Sequence, residues 1–248
     1  MIALARLAVL IALLALWQFA ALRMPQGLFA SPLETLAAAG VMLREGRLFA
    51  ATAESLGVYL TGLGAAAVTG VTIGVAMGAV PLLGRTLDLF VNALAATPRV
   101  AFVPLIIVVL GLGMSAKVFI VFLGALMPII LNTAAGVRAA DRDLIEMARS
   151  FGTSRARVFT EVVLPGAVPF LLTGLRIGAT IGLINTVVAE LYTAVTGLGG
   201  LLAVYGGSFR MAEYFVVVLT LSLIGVCVTE ALRHIETRLT RWKGQGQR

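Results

Sequence analysis

The sequence predicts an all-α integral membrane protein of about six transmembrane helices, and three observations predict it. Hydrophobic residues make up 60% of the 248 positions and charged residues only 12%, against roughly 45–50% and 25% in soluble domains. Apolar stretches recur from end to end, with no polar block large enough to fold separately, and the mean hydropathy is +1.02. The net charge of +7 lies between these stretches and in a short tail, which is the pattern a membrane imposes and not that of a nucleic-acid partner. Residues 1–248 therefore form one membrane domain.

A spanning helix needs about 20 apolar residues, and six stretches qualify: Leu7 to Leu22, Leu56 to Val80, Leu87 to Leu112, Val118 to Ala135, Phe170 to Val195 and Phe215 to Leu232. The first follows Arg6 and resembles a signal peptide. No small-x-small cleavage site follows it and Trp17 suits an interface, so it is taken as a retained helix. In the second, Gly70, Gly74 and Gly78 recur every four residues and offer a small face for close helix packing. In the third, Arg99 follows Pro98, which leaves two readings open: a helix break near a pathway, or an interfacial helix end.

The fifth stretch carries Asn185 and Glu190. A charge inside an apolar span is costly and tends to face a bundle interior or a pathway, so Glu190 makes either a structural hydrogen bond or a substrate contact. Arg176 can snorkel to the interface. Gly197-Leu198-Gly199-Gly200 is expected to be a turn and not a phosphate cradle. His234, the only histidine, ends the last stretch among Arg233, Glu236 and Arg238 as an interfacial residue.

Orientation follows from the basic residues. Arg6, Arg85, Arg138, Arg142, Arg149, Arg155, Arg157, Arg233, Arg238, Arg241, Lys243 and Arg248 fall on one side; Arg23, Arg44, Arg47, Lys117 and Arg210 fall on the other. The richer side, with both termini and the 136–165 segment, is expected to be cytoplasmic. With Cys227 the only cysteine and no converging carboxylates, the sequence offers no metal site and no nucleophile–base pair. Enzyme chemistry in this chain is not expected.

The 136–165 segment has structure of its own. Asp141 suits an N-cap; Leu144, Met147, Ala148 and Phe151 follow at helical spacing, opposite Arg142, Asp143, Glu146 and Arg149. Gly152 supplies a stop. Thr153 or Ser154 caps a second short helix with Val158, Phe159, Val162 and Val163, expected to end before Pro165. Such an amphipathic pair either lies among lipid headgroups or docks a soluble partner.

Glu146, Met147, Ala148, Gly152, Val162, Leu164 and Pro165 match the spacing of the cytoplasmic "EAA" loop of ATP-binding-cassette (ABC) importer permeases, with Met147 in place of Ala and Val162 in place of Ile. The chain resembles that family over nearly its whole length, closest to the sulfonate, taurine, nitrate and thiamine-precursor pyrimidine branch. Ser31-Pro32, Leu87-Asp88, Pro104-Leu105, Gly174-Leu175-Arg176, Ala189-Glu190 and Gly197-Leu198-Gly199 carry this likeness.

The resemblance implies a type I importer permease fold in a bacterial inner membrane, with residues 136–170 as the coupling loop. It implies a homodimer surrounded by membrane lipid, an extracytoplasmic solute-binding protein, and cytoplasmic ATPase subunits holding ATP and Mg. No Gly-x4-Gly-Lys-Ser/Thr phosphate loop occurs in this chain, which agrees with ATP being bound elsewhere. Arg99, Glu190 and Asn185 are the candidates for the translocation path. A secondary transporter or channel is the alternative; it commonly carries internal repeats, and none is evident.

Overall fold

The structure, a computed structural model, describes residues 2–25, 27–193 and 196–239, and every regular element among them is helical. The α-helices are α1 (Ile2–Arg23), α2 (Pro32–Arg44), α3 (Arg47–Ala79), α4 (Pro81–Ala96), α5 (Val103–Leu110), α6 (Met114–Arg138), α7 (Arg142–Ser150), α8 (Arg155–Val158), α9 (Leu164–Thr193), α10 (Gly197–Gly207) and α11 (Met211–Leu239). A 3-10 turn, Arg99–Phe102, leads into α5, and a π turn, Phe159–Val163, joins α8 to α9. Val195, Arg241, Lys243 and Arg248 lie outside the described residues.

Five helical stretches are long and apolar enough to cross a membrane: Leu4–Arg23, Arg47–Ala79, Met114–Arg138, Arg155–Thr193 and Met211–Leu239. The remaining expected span, Leu87 to Leu112, is not straight. It consists of α4 and the Arg99–Leu110 piece, bent by 81°. Thr97 sits in extended backbone (ψ 133°), the geometry favoured before a proline; Pro98 then lacks the N–H that would continue the ladder. Pro104 starts α5, where a missing donor costs little.

Contacts divide the chain into two compact units, Met1–Leu56 with Glu190–Ile224, and Gly57–Ala189 with Gly225–Arg248. In the first, the Trp17 indole N–H donates to the Ala30 carbonyl at 2.9 Å while its ring meets Phe215 at 5.4 Å. The polar tip of this interfacial residue is thereby satisfied. Helix α2 was not among the expected elements. It is started by a capping box: the Glu34 N–H donates to Ser31 Oγ at 3.3 Å and the Ser31 N–H donates to Glu34 Oε2 at 2.7 Å, with Pro32 at the first helical position. The Ser31 backbone N–H, and secondarily its hydroxyl, hold the Glu34 carboxyl below the usual carboxylate range.

The second unit is built around α6. Met77, Ala125, Ile129, Ile130 and Ala134 form its buried core. The glycine stripe of α3 faces this helix: a Cβ on Gly70 would lie 2.8 Å from Ile129, one on Gly74 2.6 Å from Thr133, and one on Gly78 would overlap Val137. Helices in lipid associate through such van der Waals fit, because burial from water no longer drives them together. Gly78→Leu should therefore destabilise the α3–α6 pair by about 1–3 kcal/mol, the usual range for overpacking. Gly64→Leu, where nothing lies within 4 Å, is the matched control. Thermal unfolding in detergent, followed by size-exclusion chromatography, should lower the midpoint for Gly78→Leu alone.

Candidate functional site

Local chemistry shapes the segment that follows α6. Asp141 Oδ1 accepts the N–H of Asp143 at 2.9 Å and of Leu144 at 3.4 Å, capping α7 as expected. Its far end closes as a Schellman motif: the Gly152 N–H donates to the Arg149 carbonyl at 2.9 Å and the Thr153 N–H to the Ala148 carbonyl at 3.2 Å. Gly152 has φ +76°, a left-handed conformation that a Cβ resists. Ser154 Oγ then accepts the Arg157 N–H at 3.4 Å and caps α8.

The second helix does not stop before Pro165, contrary to the sequence expectation. The Leu164 N–H donates five residues back to the Phe159 carbonyl, and this widened π turn carries the chain into α9 with Pro165 in its first turn. A widened turn relieves the clash between the proline ring and the preceding carbonyls.

The inward anchor of α7 is Ile145, which packs against the buried cluster of Val137, Val163 and Ala167. The face expected to be apolar points the other way: Leu144 is 46% exposed, Met147 53% and Phe151 82%. Met147, Ala148 and Pro165 line one groove of about 440 Å3 with Leu144, Val162 and Phe170. Glu146 and Leu164 are exposed, and Gly152 is the turn beyond the helix.

Arg99 lies at the bend between α4 and α5. Its Nη1 donates to the Gly124 carbonyl of α6 at 2.7 Å and its Nη2 to the Ala95 carbonyl at 3.2 Å. A guanidinium has five N–H donors, and the remaining ones have no partner among the described residues. Asn185 of α9 is 8% exposed and its Nδ2 occupies the space a Cβ on Gly124 would need. Two of the three expected path residues thus meet at one backbone position on α6.

Glu190 belongs to a polar centre of the other unit. It is fully buried, accepts the Ser55 hydroxyl at 2.8 Å and accepts the Gly199 N–H on Oε2 at 2.8 Å. Ser55 Oγ in turn accepts the Leu198 N–H at 2.8 Å. These are the first-turn donors of α10, so its cap comes from α3 and α9 and not from its own N-cap residue. Thr196 instead donates its hydroxyl to Glu54. Gly197 has φ +82°, and a Cβ there would collide with the Glu190 carboxylate. The glycine-rich stretch, expected to be a turn, is instead the first turn of helix α10, entered through the left-handed Gly197.

Sequence reasoning missed Glu54, Ser55 and Lys117. The expected second span starts at Leu56, the first residue of the uninterrupted apolar run, whereas α3 begins at Arg47. The charge distribution groups Lys117 with the basic residues that flank the spans, whereas it lies in α6 and is 3% exposed. The signal in both cases is a polar residue flanked by apolar ones within one helical turn.

Residues 70–241 match the model of the family described as binding-protein-dependent transport system inner membrane component. The taurine transport system permease protein TauC of Escherichia coli is 34% identical over 195 residues, 79% of this chain and 71% of that protein. The putative aliphatic sulfonates transport permease protein SsuC of Escherichia coli is 38% identical over 159 residues, 64% of this chain and 60% of that one. Among solved structures, an inward-facing conformation of the MetNI methionine ABC transporter superposes with a TM-score of 0.69 at 21% identity, covering 79% of this chain and 98% of the other. A type I importer fold, the family match and these relatives agree: the chain belongs to the family of binding-protein-dependent transport system inner membrane components.

Proposed function

We propose that this permease subunit of an ABC importer carries a small sulfonate or related anion and is driven through α7 by cytoplasmic ATPase subunits that bind ATP and Mg. The observation that carries the reading is the bare apolar face of Leu144, Met147 and Phe151 on a helix fixed from behind by Ile145 and closed by Gly152. An exposed apolar patch marks a contact with a protein or a membrane, and the family match to binding-protein-dependent permeases favours a protein partner for this one. Glu146, Met147, Ala148, Gly152, Leu164 and Pro165 take the coupling role, within residues 136–170.

A solute-binding protein delivers substrate from the opposite side, and two copies of the chain form the pathway within membrane lipid. Both termini are assigned to the cytoplasm, and the bias of Arg and Lys toward that side supports this. For the substrate, the names of the two Escherichia coli relatives support a sulfonate, and Arg99 supplies the chemistry. Its unused N–H donors suit an oxyanion, with Asn185 beside it as a neutral donor. Glu190 is a positioning residue that holds the first turn of α10.

The test is uptake of labelled taurine into proteoliposomes containing permease, ATPase and binding protein. Arg99→Gln should lower uptake about tenfold or more, as expected for losing a charge-assisted contact of 1.5–3 kcal/mol, while basal ATP hydrolysis persists. Wild-type uptake by Arg99→Gln, or failure of other sulfonates to compete, contradicts the anion reading.

A further inference from the structure

A second cavity, of about 590 Å3, lies within the unit that contains α7 and plays no part in the docking face. Its floor is apolar, formed by Met77, Val137 and Val163, all buried, with Phe159 and Ile145 beside them. Its rim carries three arginines from three helices: Arg85 on α4, Arg138 on α6 and Arg142 on α7. One carboxylate faces them. Asp88 accepts Arg138 Nη1 and Nη2 at 3.0 Å each, and Arg138 Nη2 also donates to the Met77 carbonyl at 3.4 Å.

Gly84 keeps this corner open, since a Cβ there would come 2.8 Å from Arg138 Nη2 and closer still to the Met77 carbonyl. Arg138 is thus oriented and half neutralised. Arg85 and Arg142 are exposed and carry no ion pair among the described residues. Three guanidiniums against one carboxylate leave two charges unmatched over an apolar floor, and guanidinium forks match oxyanions in shape and charge.

We propose that this cavity is a binding site for a small organic oxyanion with a short apolar stem, its head between Arg85 and Arg142 and its stem on Met77, Val137 and Val163. Such a ligand ties α4, α6 and α7 together at the end of the molecule that holds the docking helix. The assignment rests on the charge and shape of the cavity and is independent of which solute is transported. A lipid phosphate shares the head-group chemistry, and the phosphatidylglycerol arm of the test distinguishes that source from a soluble ligand.

The test is calorimetric titration of the full chain in phosphatidylcholine nanodiscs with propanesulfonate. Saturable binding is expected. It should weaken about tenfold or more in Arg85→Gln/Arg142→Gln, which removes two charge-assisted contacts, and persist in part in Arg85→Lys/Arg142→Lys. Because a sulfonate can also reach Arg99, the titration is made in an Arg99→Gln background, where saturable binding should remain and should depend on Arg85 and Arg142. Circular dichroism melting of each variant confirms that it is folded. Absence of saturable binding in the Arg99→Gln background, unchanged binding there when Arg85→Gln/Arg142→Gln is added, or displacement by phosphatidylglycerol in the nanodisc overturns the proposal.

Discussion

Gly152→Val should leave the protein inserted in the membrane and reduce ATP-dependent uptake about tenfold or more. The backbone at Gly152 sits at φ +76° with nothing within 4 Å of its missing side chain. The substitution therefore acts through backbone strain and not through a clash. Left-handed geometry costs a residue with a Cβ about 1–2 kcal/mol, and a β-branched side chain is the worst case. Release of that strain opens the Schellman bonds from Gly152 and Thr153, so the last turn of α7 frays and Phe151 leaves its place at the end of the docking face. Gly152→Asn, which tolerates the left-handed region, should retain most activity. Uptake and substrate-stimulated ATP hydrolysis in proteoliposomes, with expression level as control, provide the measurement. Equal activity of the Val and Asn variants would show that the end of α7 transmits nothing.

The second large effect is expected at Glu190. Removing its carboxylate in Glu190→Ala orphans the Gly199 N–H and the Ser55 hydroxyl in a fully buried place. Each unsatisfied buried polar group costs about 1–3 kcal/mol. Helix α10 has no side-chain cap of its own, so its first turn should loosen before the rest of the chain. Hydrogen exchange at residues 197–200 should accelerate more than at α6, and transport should fall with it. Ser55→Ala should act in the same direction, and the double variant should fall short of the sum, because both residues serve one network. If Glu190→Ala abolishes transport while exchange at 197–200 stays unchanged, Glu190 acts on the substrate and not on α10.

The long apolar helices were legible because composition and length decide them in a membrane. The start and end of α7 were legible because Asp141 and Gly152 act within a few residues of themselves. Helix α2 was announced by Ser31, Pro32 and Glu34, but a search for 20-residue apolar stretches passes over a 13-residue helix. The 81° break was partly visible at Pro98, yet the apolar run through Leu112 concealed its size. Three features depend on distant partners. Helix α10 is capped by residues 143 and 9 positions away, Ile145 is the inward face of α7 only because Val163 and Ala167 return beside it, and the meeting of Arg99 and Asn185 at Gly124 requires three helices. The π turn before Pro165 is local, but the sequence shows only a helix breaker and not the widened turn that accommodates it.

ATP dependence of uptake, measured with every ion gradient collapsed, tests the central claim most directly. Proteoliposomes containing this chain and its ATPase, supplied with the binding protein on the outside and ionophores in the membrane, should accumulate labelled taurine only with ATP and Mg on the ATPase side. They should lose that accumulation when a non-hydrolysable nucleotide replaces ATP. Accumulation that persists without ATP, or that follows an imposed ion gradient, would contradict an ATP-driven importer and favour a secondary transporter.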